Sequence, residues 1–220
     1  MNTKPFPGLP VIGLVGGVGS GKSSVARALA ARQNYVVIDA DALGHQVLGE
    51  AEIKERIKKR FGEAVFDKRG EIDRSQLARR VFGTDAESEI ARSDLNRIVH
   101  PRIGDKIHQE IERAYEIARR EPGTVPGVLL DAAILLETGW ADMCDAVVFV
   151  EASEDVRRKR VQETRGWDAA EWKKREHSQL SLEAKQTAAD VTIHNSQDLD
   201  LAVDQLEEFL ASRFFAAESS

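Results

Sequence analysis

Short apolar runs recur along the chain at residues 11–15, 35–38, 128–130, 146–150 and 191–193. They are rich in Val and Ile and largely lack polar alternation, the pattern of strands buried on both faces, as in a parallel sheet. Between them the apolar period lengthens to that of a helix. Val25 and Leu29 are four apart, as are Ile53, Ile57 and Phe61, and Ile103, Ile107, Ile111 and Tyr115. Leu199, Val203, Leu206 and Leu210 form a further stripe. Strands alternating with helices predict an α/β domain with right-handed crossovers.

The spacing of the runs is uneven. Roughly ninety residues separate the second and third, far more than one crossover needs. Much of that stretch is helical and charged, which predicts a helical substrate subdomain over about residues 43–105. A second excess lies between the fourth and fifth runs. Residues 156–187 hold nine Lys/Arg against five Asp/Glu in a chain whose formal charge is −6. A basic helical segment on an acidic protein reads as a lid that closes over phosphate. The core is then about 10–42, 106–155 and 188–215, all within one domain. The tail, 216–220, is expected to fray.

Composition narrows the class. With 42% hydrophobic and 31% charged residues, the 220-residue chain is an ordinary globular protein. Its acidity argues against general attraction to nucleic acid. No apolar run reaches the length of a membrane span, and residues 11–15 run into a glycine-rich segment and read as a strand, not a signal peptide. The one cysteine, Cys144, allows no intrachain disulfide. A cytoplasmic protein is expected, with monomer or weak oligomer left open.

The strongest chemical signal is Gly16-Gly17-Val18-Gly19-Ser20-Gly21-Lys22-Ser23, which fits G-x-x-x-x-G-K-[ST] at every fixed position. It follows an expected strand and opens an expected helix carrying Ser24. Glycines bring backbone N–H groups close to the β- and γ-phosphates of a nucleotide, and the helix adds its positive N-terminal end. Lys22 supplies a charge beside the transferring phosphate, and Ser23 a hydroxyl ligand for Mg²⁺. The motif alone does not separate kinases from GTPases, ATPases or motors.

Acidic residues at strand ends carry the next step. Asp39 and Asp41 follow the second run, on the side where ligands bind in open α/β sheets. Two apart in extended chain, they face one side and suit the carboxylate that a kinase needs to orient an acceptor hydroxyl; the alternative is a pair of helix N-caps. Asp131 ends the third run, where a carboxylate supports Mg²⁺, or it caps a turn. Arg157 and Arg160 share a helix face, and Arg165 precedes Gly166; delivered by a lid they would neutralise phosphoryl charge, and otherwise they form a solvated face paired with Glu154 and Glu163. His100-Pro101 reads by default as a turn between helices. Trp140, Trp167 and Trp172 read as packing groups, and the histidines form no metal cluster, so no structural zinc is expected.

Together these motifs resemble one family, the dephospho-CoA kinases, over nearly the whole chain. The resemblance rests on residues 12–23, on Ile38-Asp39-Ala40-Asp41, on Ile98-Val99-His100-Pro101 and on Leu135-Leu136-Glu137-Thr138-Gly139. It continues through Arg175, Gln179, Lys185, Ala189-Asp190 and Asn195. It implies a five-stranded parallel sheet with a CoA-binding helical domain and a lid. The implied reaction is transfer of phosphate from MgATP to the ribose 3′-hydroxyl of dephospho-CoA. Asp41 inherits the role of base, with Asp39, His100 and Asp131 toward the substrate. Lys22, Arg160 and Arg165 serve the transferring phosphate, Ser23 and Asp131 the metal. Residues 17–24 cradle ATP, and Asn195 lies toward its adenine. Two positions depart from the family pattern: Ala133-Ile134 stands where Pro is usual, and His177 where a small or apolar residue is common.

Two other readings remain at this point. One is a P-loop kinase for a nucleoside, nucleotide or sugar acid. The other is a GTPase-type switch, which needs Asn-Lys-x-Asp and an Asp-x-x-Gly after the third strand. Residues 131–134 read Asp-Ala-Ala-Ile, and the last strand leads into His194-Asn195-Ser196.

Overall fold

Each of the five apolar runs forms a strand in the computed structural model, which describes residues 6–83 and 85–215. The expected fraying of 216–220 lies outside the described residues. The strands are β1 (Val11–Gly16), β2 (Val36–Asp39), β3 (Val128–Asp131), β4 (Ala146–Glu151) and β5 (Val191–His194). They form one sheet in the order β2-β3-β1-β4-β5, and every pairing is parallel. β1 and β3 are buried along their whole length, which is why their sequences show no polar alternation.

By its internal contacts the chain divides into two units, Met1–Asp39 with Gln109–Ser220, and Ala40–His108. The first holds the sheet. On one face Ile12, Leu14, Leu129, Val148, Val150 and Ile193 pack with Val25 and Leu29 of helix α1 (Lys22–Gln33) and with Val203, Leu206 and Leu210 of the C-terminal helix α9 (Leu199–Leu210). The stripe read from the sequence is thus the core face of α9. Arg32 near the end of α1 adds ion pairs at 2.6 Å to both Asp200 and Asp204 of α9. These pairs are exposed, so the apolar face and not the charges holds the two helices together. Between β4 and β5 run α6 (Glu154–Arg165), α7 (Ala169–His177) and α8 (Leu182–Thr187). Gly166 closes α6 in the left-handed conformation, and the Asp168 side chain caps α7 through Glu171 N–H at 2.8 Å.

The second unit contains α2 (Ala40–Val47), α3 (Ala51–Phe61), α4 (Arg74–Val81) and the first part of α5 (Ala86–Arg120). Ile53 and Ile57 of α3, Leu77 and Val81 of α4, and Ile98, Val99 and Ile103 of α5 are buried. Two local expectations fail here. α5 runs through His100-Pro101 without a turn, with Pro101 inside the helix. Proline removes the N–H that would reach the Arg97 carbonyl, and that carbonyl instead accepts from the Arg56 guanidinium of α3 at 3.4 Å. The apolar stripe on both sides of the proline outweighs the missing bond. The second failure is at Asp41. It sits in the first turn of α2, so it and Asp39 are not neighbours along one extended strand. Among the described residues no helix is long and apolar enough to cross a membrane.

Restoring the missing donor should stabilise this helix. Pro101→Ala is expected to raise stability by about 1–3 kcal/mol, read as a higher midpoint in thermal or urea unfolding. A lower midpoint would show that the proline ring contributes packing that outweighs the bond.

Candidate active site

The site begins where the central strand β1 ends. The sheet order reverses around β1, so its carboxyl end opens a crevice flanked by β3 and β4. Gly16 to Gly21 turn there into α1, whose first turn has no side-chain cap and no acidic residue. An uncapped helix start of this kind favours an anion. Lys22 is nearly buried, and its Nζ lies 3.4 Å from the carbonyls of both Gly16 and Gly17.

The loop is held from several sides. Ser20 N–H donates to the Gly17 carbonyl at 3.1 Å. Trp172 of α7 donates from its indole to the Val18 carbonyl at 3.1 Å. The Ser20 carbonyl accepts from Asn195 Nδ2 at 2.7 Å and from Arg160 at 3.3 Å. Gly19, at φ +87°, passes so close to the Arg157 backbone that a Cβ there would stand 2.5 Å from its carbonyl oxygen. Val18, Val161 and Trp172 form a small buried cluster, with Trp167 packed against it. Of the three tryptophans expected to pack, Trp140 and Trp172 are buried.

Carboxylates line the adjoining strand ends. The Ser23 hydroxyl donates to Asp131, which is 8% exposed at the end of β3. Asp39 and Asp131 are register partners on adjacent parallel strands, so both side chains leave the sheet on one face. Ser23, Asp39 and Asp131 therefore share the crevice with the loop. A serine hydroxyl and aspartate oxygens are hard donors that suit Mg²⁺.

Four arginines of the basic segment have different surroundings. Arg160 reaches the loop through Ser20, as above. Arg165 is exposed at the end of α6 with its guanidinium 4.9 Å from the Trp167 ring centre, and Arg175 sits 5.1 Å from the same ring. Arg157 is 4% exposed, donates to the Ala152 carbonyl at 3.1 Å, pairs with Glu176 and lies 5.2 Å from the Trp172 ring centre. Ser24 is exposed on the first turn of α1. Asp41 and His100 belong to the second unit, on α2 and α5. Burial holds the His100 imidazole below its ordinary pKa.

Some polar groups at the site escaped sequence reasoning. Lys185 is 1% exposed, and its ammonium donates to the Ala133 carbonyl at 2.8 Å and to Gln179 at 2.7 Å, with Glu137 3.7 Å away. Burial lowers its pKa; Glu137 opposes that shift, and the charge of Lys22 adds to it. Lys185, Gln179 and Glu137 belong to the family resemblance, but nothing local gave them a role. Glu176 gave no signal at all. Among the described residues, Ser20 Oγ, Glu176 Oε2 and Asn195 Oδ1 are buried without a hydrogen-bond partner. No cluster of three or more His, Cys, Asp or Glu suited to a metal occurs among the described residues.

A five-stranded parallel sheet with a G-x-x-x-x-G-K-S loop on its central strand and carboxylates at the adjoining edge defines a P-loop kinase. Comparison with known proteins narrows the class. The family model for dephospho-CoA kinase matches residues 10–200. A dephospho-CoA kinase from Thermobifida fusca is 38% identical over 92% of this chain and 96% of its own. The crystal structure of TT1252 from Thermus thermophilus superposes with a TM-score of 0.74 and 31% identity, over 93% of this chain and 98% of that one. A dephospho-CoA kinase from Campylobacter jejuni shares the fold, with a TM-score of 0.61 and 22% identity over 90% of this chain and 96% of that one. The chain belongs to the dephospho-CoA kinase family.

The depressed pKa of His100 gives a pH signature. A neutral buried imidazole is unaffected above its unfolded value of about 6.5; below it the unfolded chain takes up the proton first and stability falls. The slope from this one group is at most about 1.4 kcal/mol per pH unit. His100→Gln should flatten the loss of stability between about pH 6.5 and 5 relative to wild type, measured as unfolding midpoint against pH. Parallel curves would remove His100 as the source.

Proposed function

We propose that the protein transfers the γ-phosphoryl group of ATP to the ribose 3′-hydroxyl of dephospho-CoA, giving coenzyme A and ADP. One observation carries the phosphotransfer half of this reading: Lys22 and the uncapped start of α1 stand beside the Ser23–Asp131 pair at one sheet edge. Membership of the family supports the acceptor.

The roles follow from the chemistry. The backbone N–H groups of residues 17–24 cradle the β- and γ-phosphates, and Lys22 turns from the loop carbonyls to the transferring phosphoryl group. Ser23 and Asp131 hold Mg²⁺, which screens charge on the phosphate oxygens when bound. Arg160, already at the rim of the loop, and Arg165 reach the same oxygens as the segment of about residues 156–187 covers the nucleotide. Asn195 faces the base of ATP. The helical segment of about residues 43–105 binds the acceptor, with His100 and Asp39 among its contacts. Asp41 orients the 3′-hydroxyl and takes its proton late, as suits a loose transition state in which the nucleophile gains little bonding before the leaving oxygen departs.

An acceptor panel separates this reading from the nearest alternative, a P-loop kinase for another small molecule. With MgATP, turnover is expected on dephospho-CoA and not on adenosine, shikimate, gluconate or CMP; the reverse pattern would sink the assignment. Asp41 has its own test. Asp41→Asn should lower kcat by about 10²–10⁴-fold while ATP affinity stays within about twofold. Near-normal turnover would take Asp41 out of the base role.

A further inference from the structure

The loop of Gly17, Val18 and Gly19 is gripped from outside by α6 and α7, and the grip involves residues with no role in the transfer described above. Three contacts converge there. The Trp172 indole donates to the Val18 carbonyl at 3.1 Å, and the same side chain, 4% exposed, packs on Val18 and Val161. The Arg157 guanidinium occupies the space beside Gly17 that a Cβ would fill; its central carbon would be 3.0 Å from that Cβ, as would Glu176 Oε1. The Arg157 backbone takes the corresponding space at Gly19, with its carbonyl oxygen at 2.5 Å. Arg157 is itself immobilised by the Ala152 carbonyl at 3.1 Å, by Glu176 and by the Trp172 face at 5.2 Å.

These contacts explain the doubled glycine. The P-loop pattern leaves the second position free, yet here Gly17 is the one residue that clears the arginine. They also bear on the basic segment. Its α6 and α7 reach the loop through buried contacts.

We propose that Trp172 and Arg157 are positioning residues for the phosphate loop, through which α7 and α6 brace it and set nucleotide affinity. Trp172 satisfies the Val18 carbonyl and so holds the following peptide N–H groups toward the phosphates. Arg157 blocks collapse of Gly17 and Gly19 into the space behind the loop. Glu176 keeps the buried arginine paired; an unpaired charge there would be strongly destabilising. The inference rests on the nucleotide reading of the loop but not on the identity of the acceptor.

The test is ATP binding by calorimetry, with Mg²⁺ and without acceptor, on the full chain. Trp172→Phe keeps the ring packing and removes only the indole donor. It should weaken ATP binding about five- to tenfold, as expected for one buried hydrogen bond. The KM for ATP should rise with it, while kcat and the acceptor KM stay within about twofold. ATP binding unchanged within about twofold, or equal losses in kcat and the acceptor KM, would overturn the brace. Gly17→Ala gives an independent arm. It should weaken ATP binding at least about tenfold alone, and less when combined with Arg157→Ala, since the pair is in contact. Additive losses would overturn the role of Arg157, and if Arg157→Ala does not fold, Trp172→Phe decides alone. Wild-type protein without measurable ATP affinity would instead overturn the nucleotide reading itself.

Discussion

A loop that offers its backbone N–H groups to an anion has to turn its carbonyl groups the other way, into the protein, and each needs a donor there. Much of the first unit is arranged around that requirement. The carbonyls of Gly16 and Gly17 are met by Lys22, that of Val18 by Trp172, and that of Ser20 by Asn195 and Arg160. The donors come from α1, α7, the segment after β5 and α6, so elements far apart in the chain are tied to one turn of backbone. The sheet makes this economical. β1 is central, and the order β2-β3-β1-β4-β5 brings the ends of β3, β4 and β5 to the same edge. Asp131 and Asn195 arrive there as the residues that end β3 and follow β5.

The second constraint is electrostatic. Lys22, Arg157, Lys185 and Asp131 are all nearly buried, and Glu176 and Glu137 stand beside two of them. Moving charges out of water is costly even when they are paired, so this concentration is poor evidence for stability. Its use lies elsewhere. Paired and buried, these charges hold the loop and its neighbours in one arrangement, and in the proposed transfer Lys22 would meet the phosphoryl charge with little reorganisation. Burial holds the Lys185 ammonium below its ordinary pKa, the Lys22 charge adds to this, and Glu137 opposes it. Lys185 meets this by donating to Ala133 and Gln179, which ties α8 to the segment just after Asp131. Ala133 takes part through its backbone carbonyl, so the contact does not depend on its side chain.

Much of this was legible in the sequence because it is local. Continuous apolar runs identified all five strands, since strands buried on both faces leave no other pattern. The phosphate loop was legible because its chemistry demands glycines, a lysine and a serine at fixed spacing. Two local rules gave the wrong answer. Proline predicted a turn at His100-Pro101, but Arg56 takes the orphaned Arg97 carbonyl and the apolar stripe of α5 continues past it. The spacing of Asp39 and Asp41 predicts an extended chain through both, but α2 begins between them. In both cases helix packing outweighed a preference expressed over two residues.

What escaped reading altogether was pairing over long sequence distance. Trp172 read as packing, and the packing is real, but nothing near it in the chain announces a bond to Val18. Arg157 read as one of several basic residues on a helix face, whereas burial separates it from Arg165 on the same helix. The two arginines illustrate why charge runs resist interpretation: a helix of this composition can expose one member to solvent and lock another beneath a backbone turn. The sequence did hold one clue to the difference, in the glycine at position 17. The nucleotide motif does not require glycine there, so a side chain was excluded by something other than the phosphate. A glycine beyond the needs of its motif points to a neighbour, and the neighbour here is a buried arginine.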